Sequence, residues 1–128
     1  MKMKKSTFTS AVILFCTLLC STLYAQEKQT KLQDSTLKDS IYNANKKKVY
    51  NFSLKEFDQL FFEFSDKKAN PDHILTKMEF YTYTIKIAAF SDRLAILYPD
   101  QKEVANANKI KWFAENYEDY LLSKASHK

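Results

Sequence analysis

Phe80-Tyr81-Thr82-Tyr83-Thr84-Ile85-Lys86-Ile87, inside the longer run 72–98, decides the fold of this chain. Taken alone it alternates. Tyr81, Tyr83, Ile85 and Ile87 recur at period two around Thr82 and Thr84, a pattern that passes for a β-strand. Its surroundings argue for helix, because apolar residues continue on both sides at helical spacing with no turn residue between. At 100° per residue Ile74, Met78, Tyr81, Ile85, Ala88 and Ile96 share one face, while Tyr83, Ile87, Phe90, Leu94 and Leu97 share the opposite one. Glu79, Lys86 and Arg93 make a narrow polar strip between them. A helix apolar on two sides must be covered on two sides, here by neighbouring helices of the same chain or, on the Tyr83-Ile87-Phe90-Leu94 face, by a second copy or another protein.

Working outward, the chain contains no Gly and only two prolines, Pro71 and Pro99. Hairpin-rich folds need Gly and Pro for tight turns, so an all-α fold is expected. Ser53 with Glu56 forms a capping box for a helix over 53–68, whose apolar face is Leu54, Phe57, Leu60, Phe61 and Phe64. Asn70-Pro71-Asp72 separates it from the helix over 72–98. Pro99 ends that helix, and Asp100 with Glu103 repeats the capping pattern for a third helix over 100–124. Its core stripe is expected to be Val104, Ala107, Ile110, Phe113, Ala114, Tyr117 and Leu121. The result is a small antiparallel bundle of three main helices, domain 51–124, with a short tail at 125–128. Segment 26–50 is polar and Lys-rich. Leu32, Leu37, Ile41 and Tyr42 are its few anchors, so it is expected to be a weak helix or tether.

The start of the chain has a different character. Lys2, Lys4 and Lys5 precede an apolar run from Ala11 to Leu19, and Ala25 stands before Gln26. Positive end, apolar middle and small residue at the cut are the order of a secretory signal peptide, so 1–25 is expected to be removed between Ala25 and Gln26. Cys20 as a lipid-bearing cysteine is disfavoured by the bulky Leu19 before it. An uncleaved anchor is disfavoured because Phe8 to Ala25 is marginal in length for a span of ~20 residues and rich in Ser and Thr. The expected location is the periplasm or the outside of the cell, with membrane contact through the signal segment only.

Trimming changes the chemistry on offer. The whole chain has a net charge of +5, and without the three signal lysines 17 basic residues face 15 acidic ones, a net of +2. That is too little to imply a nucleic-acid partner. Cys16 and Cys20 are the only cysteines and leave with the signal, so no disulfide staples the remainder. No Gly-rich phosphate loop and no nucleophile elbow is possible without Gly. Metal binding has only His73 and His127 to draw on. No cofactor site and no catalytic set is expected.

The candidates that remain are surfaces. Phe57, Phe61 and Phe64 share their spacing with Phe113, Tyr117 and Tyr120, which suits an aromatic core seam. Phe62, Tyr83 and Trp112 fall off the core stripes and are candidates for an aromatic face that binds a protein, peptide or hydrophobic ligand. Glu115, Glu118 and Asp119 form an acidic face, with Lys111 four residues before Glu115. That face suits an inhibitor or immunity-type protein acting on a basic partner such as a toxin or envelope hydrolase. Ser35 and Ser40, in Asp34-Ser35-Thr36 and Asp39-Ser40-Ile41, match a short bacterial O-glycosylation acceptor pattern. Asn51-Phe52-Ser53 fits the N-glycosylation pattern, though Ser53 is better used as a cap. Leu75-Thr76-Lys77-Met78-Glu79 approaches the Leu-Thr-x-x-Gln repeat of small periplasmic chaperones, but it has Glu for Gln and occurs once, so it names no family.

Overall fold

The computed structural model describes the backbone of residues 2–126 and the side chains of residues 22–126. The side chains of residues 1–21, with Cys16 and Cys20, and the tail residue His127 lie outside the described residues. Among the described residues five helices follow one another: α1 Lys2–Tyr50, α2 Leu54–Ala69, α3 Lys77–Leu97, α4 Lys102–Phe113 and α5 Tyr117–Ser126, with a 3-10 turn at Pro99–Gln101 before α4. There is no strand among the described residues, and the protein is all-α, as expected from its lack of Gly.

The chain divides into two units, Met1–Thr36 and Leu37–Lys128. In the first, Leu23, Tyr24 and Leu32 are exposed, and a Glu27–Lys31 ion pair spans one helical turn at 3.5 Å. Among the described residues no helix is long and apolar enough to cross a membrane.

The second unit is a bundle built around α3. The period-two stretch is helical, and the threonines that gave it strand character turn their hydroxyls back onto the helix: Thr82 donates to Met78 O at 2.6 Å and Thr84 to Tyr81 O. Such back-bonding satisfies a hydroxyl that burial would otherwise strand. From Phe80 to Ser91 α3 is buried on nearly every side. Phe57 stacks on Phe90 with ring centroids 4.2 Å apart, and Phe64 stacks on Tyr83 at 5.4 Å, which sets α2 antiparallel to α3. On another side Lys109 meets Asp92 and the Tyr117 amide meets the Tyr81 hydroxyl, so α4 and α5 also run against α3. The face Tyr83-Ile87-Phe90-Leu94 is thus covered within the monomer.

Four sequence expectations need correction. The stretch from Leu37 to Tyr50 is a packed helix, and it puts Ile41 and Val49 into the core while Leu32, expected as an anchor, is exposed. α3 starts at Lys77, five residues later than expected, because Thr76 takes the N-cap: its Oγ1 accepts from the Glu79 amide and donates to the Glu79 carboxylate. Asp100 lies in the 3-10 turn and caps nothing; α4 begins after Gln101 without a side-chain cap. The third helix is broken at Ala114–Asn116. Asn116 Oδ1 accepts from the amides of Glu118 and Asp119 at 2.8 and 3.2 Å and starts α5 afresh. The capping box at Ser53 and Glu56 forms as expected.

The loop between α2 and α3 lacks Gly, and the aromatic side chains of α5 hold it in place. Tyr120 Oη accepts from the buried Leu75 amide at 2.9 Å, and Tyr117 Oη donates to Leu75 O at 2.7 Å. Lys124 Nζ closes the same loop on Asn70 O. Each contact satisfies a backbone group that no helix provides for.

Candidate functional site

The three aromatic candidates come together on one flank of the bundle, though with unequal exposure. Phe62, on α2, is 63% exposed. Its ring meets Phe61 edge-on at 6.1 Å, Phe61 meets Trp112 edge-on at 6.2 Å, and Trp112 meets Phe64 at 6.2 Å. Tyr83 completes the run by stacking on Phe64. Contrary to expectation, Tyr83 and Trp112 are not off the core: both are half-buried and pack against it. The helical wheel placed Trp112 outside the stripe because that stripe was drawn with the wrong phase. α4 turns Ala105 and Lys109 inward, leaving Val104, Ala107 and Ile110 outside.

Charge frames one edge of the flank. Lys67 Nζ donates to Tyr83 Oη at 2.9 Å and pairs with Glu63 at 3.2 Å. The Tyr83 hydroxyl, and after it the Lys67 ammonium, hold the Glu63 carboxyl below the usual carboxylate range. The Tyr83 hydroxyl, and after it the Glu63 carboxylate, hold the Lys67 ammonium above its ordinary value. Such exposed pairs orient side chains more than they stabilise.

The acidic candidates have local work. Lys111 and Glu115 do not share a helix, since α4 ends at Phe113. Glu118 and Asp119 occupy the first turn of α5, where carboxylates suit the positive end of the helix dipole. Glu118 also pairs with Lys77 at 3.3 Å. Ser35 and Ser40 are exposed on α1, and Ala25 and Gln26 are exposed as well. His73 Nε2 lies 3.9 Å from a Glu79 oxygen, and among the described residues no cluster of three or more His, Cys, Asp or Glu is placed to hold a metal.

A charged cluster escaped sequence reading. Lys109 Nζ meets Asp92 at 2.9 Å and Tyr42 Oη at 3.2 Å, and Tyr42 donates to Asp92 at 2.6 Å. Burial, then the Asp92 carboxylate, pushes the Tyr42 hydroxyl up. Burial works against the Lys109 charge, yet its bonds to Asp92 and Tyr42 outweigh that and raise it. Through these bonds the cluster ties α1, α3 and α4 together. Tyr42 and Asp92 also line a cleft of about 420 Å³ with Lys46, Lys47, Tyr50, Asn51 and Ala89. A larger cleft, about 520 Å³, lies among Ser65, Lys68, Ala69, Pro71, Ile74, Ser123 and Lys124. Neither cleft is lined by Phe62, Tyr83 or Trp112.

Comparison with protein-family models, with curated proteins and with solved structures finds no match for this chain.

Proposed function

We propose that this protein is an exported, non-enzymatic interaction module that binds a protein, peptide or hydrophobic ligand through its aromatic flank. The observation that carries the proposal is Phe62. A phenylalanine 63% exposed at the end of the series Phe61, Trp112, Phe64, Tyr83 offers an apolar contact already braced by rings beneath it. Preorganised aromatic contacts of this kind lose little side-chain entropy on binding. The competing use of Glu115, Glu118 and Asp119 as an inhibitory acidic face is weaker, because Glu118 is already paired and Glu118 and Asp119 serve the α5 N-terminus. Export rests on the basic-apolar-small order of the first 25 residues.

One experiment tests both parts. The tagged protein is captured from the envelope fraction and analysed with its companions by mass spectrometry, as wild type and as Phe62→Ser. The proposal expects a bait whose sequence starts at Gln26 and a companion at least tenfold depleted from the variant. A bait retaining residues 1–25 would refute the cleavage; equal companions, or none with either bait, would refute the flank. Phe62 is the right position because its exposure leaves the core intact. Trp112→Ala would mix binding with a packing loss of about 3–5 kcal/mol.

A further inference from the structure

Helix α4 meets the bundle with one side only and leaves the other to solvent. Ala105 is buried, and Lys109, Trp112 and Phe113 are partly buried beside it. The opposite side carries Val104, Ala107, Ile110 and Ala114, all exposed, with Val104 at 59% and Ile110 at 72%. A single exposed aliphatic is ordinary, but these follow one another along one side of the helix as a stripe. Exposed Glu103 and Lys111 lie in the same outward arc, each about 40° from Ala107 at 100° per residue.

We infer that this face joins two copies of the chain, with their α4 helices packed antiparallel across a two-fold axis beside Ala107. A two-fold contact requires a patch complementary to itself, and the order of residues here has that property. Antiparallel packing centred on Ala107 brings Val104 level with Ile110 of the other copy. It also brings Glu103 level with Lys111 of the other copy, so unlike charges meet at both ends. Parallel packing would set like charges together. Ala107 at the axis carries only a methyl, which lets the helices approach closely. Asn106 and Asn108 border the stripe as a polar rim. Val104 also walls a groove of about 150 Å³ with Leu94, Tyr98 and Ala105, which widens the apolar area towards the end of α3. A single face of the 12-residue α4, ~18 Å long and ~10 Å wide, offers less than the roughly 800 Å² per partner of a standard stable interface, so the association is weak and concentration-dependent. It is independent of the aromatic flank, because Trp112 lies on the inner side of α4.

Sedimentation equilibrium of the protein recovered from cells expressing the whole chain, between ~10 μM and ~1 mM, tests this. The expected result is a monomer–dimer equilibrium that Ile110→Glu and Lys111→Glu each weaken by about tenfold or more, and that the swap Glu103→Lys with Lys111→Glu largely restores. All three positions are exposed, so far-ultraviolet circular dichroism of the variants should match wild type. A wild type monomeric over the whole range would assign the face to some other partner and overturn the inference. So would a dimer indifferent to Ile110→Glu, or a swap that rescues nothing.

Discussion

At the scale of single residues, tyrosine hydroxyls take on tasks that glycine and cysteine perform elsewhere. Leu75 has both its amide and its carbonyl bound by side chains of α5, through Tyr120 and Tyr117. Tyr120→Phe keeps the ring but leaves a buried amide without an acceptor, which should cost about 1–3 kcal/mol. Tyr117→Phe removes a donor to a carbonyl with a second lone pair and should cost less. Urea unfolding would read both as a lower midpoint with an unchanged slope. None of this was visible in the sequence, where Phe113, Tyr117 and Tyr120 looked like one seam on one helix. The break at Ala114–Asn116 contains neither Gly nor Pro. The signal present was weaker: an Asn followed by Glu118 and Asp119 is an N-cap with an acidic first turn.

At the scale of elements, legibility followed the strength of the apolar pattern. α2 and the helical state of α3 could be read because their apolar residues recur without interruption and Ser53 with Glu56 marks a start. α1 from Leu37 onward could not, because its contribution is sparse: Ile41, Val49 and the half-buried Leu37 and Tyr42 among lysines and asparagines. Sparse anchors still matter when they are fully enclosed. Ile41 is 6% exposed, so Ile41→Ala should destabilise the bundle by about 2–4 kcal/mol, whereas a tether would lose almost nothing. Thermal or urea unfolding distinguishes the two. α4 was misread for the opposite reason. Its apolar stripe is real, but the ion pair of Lys109 with Asp92 and the packing of Trp112 turn the other side inward. Pairing between residues 17 apart in sequence has no local signature.

At the scale of the whole bundle, Tyr42, Asp92 and Lys109 join three helices through titratable groups, and this gives stability a pH edge. The folded state raises the pKa of Tyr42, of Lys109 and, chiefly through burial, of Tyr117. Each therefore binds its proton more tightly folded than unfolded. Their contribution is whole below the unfolded values near pH ~10 and is lost as pH rises through the folded ones. The unfolding midpoint should stay level from pH ~7 to ~9.5 and then fall, and Asp92→Asn should lower the plateau while softening the alkaline fall. A fall as steep in the variant as in wild type would remove the cluster from this role. The aromatic flank was partly legible at this scale: its three residues were named, but only Phe62 has the exposure expected of all three.

The tie between Leu75 and Tyr120 has a temporal meaning. It spans 45 residues, and Tyr120 Oη is the partner of the Leu75 amide among the described residues. A chain made from its N-terminus, or threaded through a membrane in that order, has Leu75 in place long before Tyr120 arrives. Until α5 docks, the loop stays unanchored and the aromatic core beside Phe80 stays open. A product broken off after α4 would lack both this latch and the ring that stacks on Phe80.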